Sequence, residues 1–139
     1  MADVLLNYWA ILVATIIQIL LGMFWYSPIG FGKPWMKSLG KTLADIEAQK
    51  GKGMALSYIF MIITAFIMTY VLAHFVDYAN ATDAMGGLVA GFWIWLGFIA
   101  TSSLGMVLWE KRSLSWYAIT SGYYLVSLLI TGAVLAVWV

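Results

Sequence analysis

Four stretches of this chain contain no Asp, Glu, Lys or Arg, and each is longer than a membrane-spanning helix. A bilayer core of about 30 Å is crossed by roughly 20 apolar residues in a helix. Each stretch exceeds that length, and Leu, Ile, Val, Phe and Trp dominate all four. The sequence therefore predicts a multi-pass membrane protein. The stretches run from Val4 to Gly32, from Gly53 to Val76, from Ala84 to Trp109 and from Ser113 to Val139.

The secondary structure of these stretches follows from the lipid that surrounds them. Backbone polar groups in lipid must be hydrogen-bonded within helices or a closed barrel, and the stretches lack the alternation of apolar and polar residues typical of barrel strands. We expect an all-α fold, an integral membrane four-helix bundle in which short connections make successive helices antiparallel, in an up-down topology. The 139 residues leave room for a single membrane domain, residues 1–139, with spans near 4–26, 54–75, 84–108 and 116–138.

The cationic residues predict how this bundle is oriented. All seven Lys and Arg residues follow either the first or the third span. Cytoplasmic connections of membrane proteins carry an excess of Lys and Arg, so we expect both of these connections in the cytoplasm and both termini outside it. The first span is predicted to be retained rather than cleaved as a leader, because Asp3 precedes an apolar run of full spanning length.

The connection between the first two spans is the longest segment outside the predicted membrane region. Pro28 ends the first helix, because proline lacks an amide hydrogen and disfavours helical geometry in the residue before it. Five apolar residues then recur at helical spacing and predict a short amphipathic cytoplasmic segment at the membrane surface. Thr42 and Asp45 form a variant capping pattern, so a shorter helix that begins near Leu43 fits equally well. The five apolar residues are Trp35, Met36, Leu39, Leu43 and Ile46.

Residues that usually carry catalysis or coupled transport are absent from the predicted spans. None of the spans contains a carboxylate, Lys or Arg, the usual groups of proton relays and ion pathways. The chain has no cysteine, and its one histidine, His74, is too few for a metal or haem site within one chain. We therefore expect no enzyme activity, no metal, no cofactor and no nucleic-acid partner.

Polar side chains recur at one depth in three of the four spans. They lie about seven residues from the predicted cytoplasmic ends, which at about 1.5 Å per residue is roughly 10 Å into the membrane. We expect this polar layer to tie the helices together through hydrogen bonds of around 1 kcal/mol each, with the lining of a small ligand site as the alternative. Its members are Gln18, Thr101, Ser102, Ser121 and Tyr124.

Two tryptophans, Trp93 and Trp95, lie near the middle of the third span, too deep for the headgroup region where indole rings usually lie. An indole N–H at that depth requires an acceptor. The plainer interpretation is a bulky packing residue bonded to a neighbouring carbonyl or hydroxyl group. The alternative is a wall for an apolar or aromatic ligand.

Small residues in the same span predict a packing face. Gly87 and Gly91 form a pair that permits close approach of another helix backbone. At about 100° per residue they share one stripe with four later residues. Those four are Ile94, Phe98, Thr101 and Gly105.

Several short motifs occur in a fixed order along the chain. They are Asn7, Trp25-Tyr26-Ser27-Pro28, Phe31-Gly32-Lys33 with Trp35, Leu96-Gly97-Phe98, Trp109-Glu110 with Arg112, and Gly122-Tyr123. In this order and spacing they resemble a family of small bacterial membrane proteins, domain of unknown function 1761. The resemblance implies a four-helix integral membrane protein of the bacterial inner (plasma) membrane and brings no established activity, cofactor or site. Family members often have Asn before the charged turn, where this chain has Gly105 and Met106.

Two classes of function fit these observations. The one we favour is a protein that acts through helix–helix association, as a homo-oligomer or as an accessory subunit of a membrane complex. The alternative is a small homo-oligomeric transporter or channel for a small aromatic or apolar solute. The lack of a membrane carboxylate and the one-sided distribution of Lys and Arg argue against the alternative. The expected partners are the lipid bilayer and another membrane-protein chain.

Overall fold

The computed structural model describes residues 6–42, 44–45 and 54–138, and these ranges contain helices and connections but no strand. Four of the helices are long and apolar enough to cross a membrane. The expected all-α membrane fold is therefore confirmed. The helices are α1 (Tyr8–Trp25), α2 (Gly32–Ser38), α3 (Met54–Tyr78), α4 (Ala84–Trp109) and α5 (Leu114–Val137).

Polar caps determine where three of the long helices begin. The Asn7 side chain accepts hydrogen bonds from the Trp9 and Ala10 amides, so α1 begins at Tyr8 rather than at residue 4 as predicted. Asp83 caps α4 and Ser113 caps α5 in the same way. A side-chain oxygen at this position satisfies amide groups that have no partner within the helix. The predicted spans consequently differ from the observed helices by only a few residues.

The segment after α1 contains a short helix instead of one long amphipathic helix. Helix α2 ends at Ser38, and Gly40 follows with a positive φ of 68°, a backbone conformation that favours glycine. The prediction of one helix that continues through Gly40 is therefore wrong. The predicted capping pattern is present beyond it: the Thr42 amide donates to Asp45 Oδ2 at 2.8 Å, and the Asp45 amide donates to Thr42 Oγ1 at 3.2 Å. Hydrogen bonds to the Asp45 carboxylate from the Thr42 amide, the larger effect, and from the Thr42 side chain lower the pKa of this carboxyl. Leu43 and Ile46 lie outside the described residues.

Glycine contact joins α4 to α5. A Cβ atom added to Gly87 would clash with the Gly132 backbone, and one added to Gly91 would clash with the Leu128 carbonyl. The backbones of the two helices therefore touch at these points, as the small-residue pair predicts. Gly87 and Gly91 are both buried.

Helices α1, α3 and α5 enclose the centre of the bundle. Ile11, Leu72 and Leu128 are almost fully buried there. Between α1 and α3, the hydroxyl oxygens of Thr15 and Thr69 lie 2.6 Å apart, and both residues are buried. This hydroxyl pair thus links two helices within a largely apolar interior.

A π-helical turn, Trp95–Ala100, interrupts α4. Its hydrogen bonds span five residues instead of four, so the residues that follow point in a different direction from those of a continuous α-helix. Gly87 and Gly91 face α5, whereas Phe98 and Thr101 are exposed. The prediction of one continuous stripe through these residues is therefore wrong, because it assumed a constant α-helical period.

Candidate functional site

Gln18 is a polar residue in the apolar centre of α1, where its side chain is only 4% exposed. Its Nε2 atom donates to the thioether sulfur of Met68 on α3 at 3.4 Å. Its side-chain oxygen, Oε1, is buried without a hydrogen-bond partner among the described residues. The backbone carbonyl of the same residue accepts a bond from the Tyr123 hydroxyl of α5 at 2.9 Å. Gln18 therefore lies where α1, α3 and α5 meet, with one acceptor unused.

A cavity of about 780 Å³ lies beside this residue. Side chains of α1, α2, α3 and α5 form its wall, together with the connection that follows α1. Most of these side chains are aromatic rings, methionines or other apolar groups, and none of the described ones is charged. The lining includes Gln18, Tyr26, Trp35, Tyr58, Met68 and Tyr124.

The aromatic part of the wall is a chain of ring contacts. The Tyr26 ring lies 4.9 Å from the Trp35 ring and 5.5 Å from the Tyr123 ring, both edge to face. The Tyr123 ring lies 5.0 Å from that of Tyr124. Edge-to-face arrangements of this kind are favourable for aromatic rings and limit their rotation. The wall is thus an ordered surface.

The structure brings only part of the predicted polar layer to this cavity. Gln18 and Tyr124 line it. Ser121 is buried nearby on α5, and its hydroxyl donates to the Tyr117 carbonyl of its own helix. Thr101 and Ser102 are exposed on α4 and donate to the Gly97 and Phe98 carbonyls of that helix.

The two mid-span tryptophans have different surroundings. The Trp95 indole N–H donates to the Ser121 carbonyl of α5 at 2.8 Å, the arrangement expected of a packing residue. Trp93 is 62% exposed, and its ring lies edge to face against that of Phe92 at 5.7 Å. Neither is among the residues that line the cavity beside Gln18.

Sequence reasoning singled out too few of the residues that form the cavity. In the sequence, Tyr26 and Tyr123 stand out only as parts of motifs, and Trp35 also as an apolar residue of the predicted amphipathic segment. The usable signal was the clustering of aromatic residues at the end of the first span and just after it. Their convergence depends on α2 packing against α5 and against Tyr26 in the connection after α1, which helical periodicity does not predict.

Helix α4 does not line this cavity. It carries a strip of small residues, which we call the α4 face: Gly97, Thr101 and Gly105. The Thr101 hydroxyl donates to the Gly97 carbonyl at 2.7 Å, which places these two residues one turn apart on the same side. A Cβ atom added to Gly97 or to Gly105 would contact nothing within 4 Å. These glycines therefore pack against nothing in the part of the chain that the structure describes.

Metal binding has no visible basis in the described part of the chain. There, no three His, Cys, Asp or Glu side chains cluster as a metal ion would require. The His74 Nδ1 atom lies 3.0 Å from the Tyr70 carbonyl of its own helix.

The short motifs of the sequence, from Asn7 to Gly122-Tyr123, are distributed over most of the chain. A family model described as "Protein of unknown function (DUF1761)" matches residues 9–136. The chain belongs to the DUF1761 family. The resemblance found in the sequence is thus confirmed, and it covers all four long helices of this DUF1761 protein. Comparisons with the curated proteins and with the solved structures give no match.

Proposed function

We propose that this protein acts through association of its membrane helices, as a homo-oligomer or as an accessory subunit of a membrane complex. The observation that carries the proposal is the α4 face. Glycine weakens a helix by roughly 1 kcal/mol relative to alanine, so a glycine that packs against nothing within its chain needs another explanation. In lipid, small residues let a second helix approach closely and form backbone contacts, and this explains Gly97 and Gly105.

The α4–α5 pair supports this proposal by showing the same chemistry in use within the chain. Gly87 and Gly91 of α4 are covered by the backbone of α5. Gly97, Thr101 and Gly105 repeat the same four-residue spacing, and no helix among the described residues covers Gly97 or Gly105.

Native extraction in mild detergent tests the proposal. We expect the wild type to leave the membrane as a complex heavier than one chain. The double variant Gly97→Leu with Gly105→Leu should lose that complex, because two isobutyl groups would separate the helices. Ala118→Leu places a leucine side chain at an exposed site of α5 instead and should leave the mass unchanged. A monomeric wild type, or a complex that survives the double variant, would contradict the proposal.

The composition of the extracted complex separates the two forms of association. Several copies of this chain alone would establish a homo-oligomer. Unrelated chains in fixed proportion would establish an accessory subunit. Both forms use the α4 face, so both should be sensitive to the same double variant.

We also propose an up-down bundle in the bacterial inner membrane with the basic connections in the cytoplasm. Contacts between helices support antiparallel neighbours: Gly87 meets Gly132 near one end of α4, and the Tyr117 hydroxyl donates to the Ala100 carbonyl nearer the other. The distribution of Lys and Arg supports the orientation.

The cavity beside Gln18 favours a second candidate function, the transport of a small aromatic or apolar solute. It provides a ring-lined space within the bundle. A homo-oligomer would be compatible with this candidate, whereas a complex with unrelated chains would favour the accessory role.

A further inference from the structure

The cavity beside Gln18 has three properties that together define a class of ligand. Its wall is formed largely by aromatic rings and methionines, no described lining residue is charged, and Gln18 Oε1 is a buried acceptor without a partner. We propose that this cavity binds a neutral, largely apolar aromatic molecule with one O–H or N–H donor, such as a phenol or an indole, and that this donor bonds to Gln18 Oε1. The inference requires neither self-association nor transport.

The orientation of the Gln18 amide follows from its neighbour. A methionine sulfur can accept a hydrogen bond weakly but cannot donate one, so the amide NH₂ is directed toward Met68 and the oxygen is directed elsewhere. A buried carbonyl oxygen that has lost its bond to water is unfavourable until it finds a donor. A ligand donor would remove that cost, which gives the cavity a chemical preference beyond its shape.

Access to the oxygen requires a small movement of a side chain. Gln18 lines the cavity, but its Oε1 atom is covered by neighbouring atoms. Met68 lines the same cavity and contacts the amide, and an unbranched thioether side chain changes rotamer readily. Displacement of Met68 by a ligand ring would break one weak N–H···S bond and free the Gln18 amide to rotate, which would turn Oε1 toward the cavity.

The same residues argue against other ligand classes. A cation would lose its hydration without gaining a carboxylate, because none of the described lining residues is acidic. A quaternary ammonium ion could contact the rings, but it has no donor for Gln18 Oε1. A flat aromatic body instead matches the rings of Tyr26, Trp35 and Tyr124. The volume of about 780 Å³ is ample for such a molecule.

A matched pair of probes isolates the hydrogen bond. 4-Butylphenol and 4-butylanisole differ in that an O–CH₃ group replaces the O–H donor. Their dissociation constants would be measured by calorimetry on the full-length protein in lipid nanodiscs, with protein-free nanodiscs as the background. For the wild type we expect the phenol to bind about tenfold tighter than the anisole, the ratio that corresponds to one additional hydrogen bond to a buried acceptor.

Variants assign this preference to Gln18. Gln18→Met keeps an unbranched side chain of similar length and removes the acceptor, so the ratio of the two constants should fall to about one, since the remaining contacts are shared by both probes. Tyr58→Phe removes a different hydroxyl from the same wall and should keep the preference. Tyr124→Leu removes a ring and should weaken both probes by a similar factor. This last variant tests the site independently if Gln18→Met does not fold.

Three results would overturn the inference. They are equal affinities of the wild type for the two probes, a phenol preference that survives in Gln18→Met, and no binding of either probe above the nanodisc background. The last result would mean that the cavity holds only water or lipid. None of these results bears on whether the α4 face associates, so the proposed function would stand or fall separately.

Discussion

Single polar side chains connect the helices of this bundle by bonding to backbone carbonyls or to each other. The Trp25 indole N–H donates to the Ile119 carbonyl at 2.9 Å, and that of Trp95 donates to the Ser121 carbonyl at 2.8 Å, so α1 and α4 both bond to α5. Such bonds replace the water that an indole would find at the membrane surface. Because a hydrogen bond is directional, a residue of this kind fixes how one helix is oriented against another, which apolar contacts alone do not do.

The Thr15–Thr69 pair is the link of this type that can be tested most simply. Thr69→Val keeps the shape of the side chain and removes the hydroxyl, so the free energy of unfolding should fall by about 1 kcal/mol, typical of a hydrogen bond between membrane helices. Equilibrium unfolding in mixed detergent micelles would measure it. Thr64→Val is the control, because the Thr64 hydroxyl is exposed and donates to the Met61 carbonyl of its own helix.

A double-mutant cycle with Thr15→Val separates the pair from its surroundings. If the two hydroxyls stabilise the fold through each other, the double variant should lose little more than either single one. Additive losses, or a Thr69→Val loss no larger than that of Thr64→Val, would contradict the link between α1 and α3.

At the scale of whole elements, α4 combines two packing surfaces because its period changes part-way along. Before the π-helical turn Trp95–Ala100, Gly87 and Gly91 face α5. After it, Thr101 and Gly105 belong to the bare α4 face. Helical periodicity predicted each group of small residues but joined them into one stripe, because a local change of hydrogen bonding leaves no simple mark in the sequence. Thr101 and Ser102 were assigned to the polar layer for the same reason: their depth was predictable and their direction was not.

The two kinds of glycine in α4 should respond in opposite ways to a single methyl group. Gly91→Ala would place a Cβ atom against the Leu128 carbonyl, and separating the two backbones should cost about 1–3 kcal/mol of unfolding free energy. Gly105→Ala enters open space within the single chain, so in a detergent that leaves the protein monomeric it should be neutral or slightly stabilising, since alanine favours a helix. Thermal unfolding of the two variants in the same detergent would compare them. Equal effects would mean that α4 and α5 are not in backbone contact.

At the scale of the whole molecule, the sequence predicts most about the features that lipid imposes. It predicts least about contacts between separate elements. The four spans follow from the lack of charge over lengths such as Gly53 to Val76, because charged groups are costly in hydrocarbon. The cavity beside Gln18 depends on Trp35 of α2 returning to Tyr26, a contact between elements whose relative positions no local pattern specifies. Gln18 itself was predictable as a buried polar residue, but its unused oxygen follows only from its neighbours.

The orientation of the bundle can be tested on a background that is already free of cysteine. Thr82→Cys lies in the connection between α3 and α4, and Ser115→Cys lies at the start of α5 beside Lys111 and Arg112; both positions are exposed. Since Lys and Arg are retained on the cytoplasmic side, a membrane-impermeant maleimide should label Thr82→Cys in right-side-out vesicles. It should label Ser115→Cys only after the vesicles are permeabilised. The reverse pattern would mean that the protein has the opposite orientation in the membrane. Partial labelling of both variants before permeabilisation would mean that the chain inserts in two orientations. Two chains could then form an antiparallel pair through the α4 face.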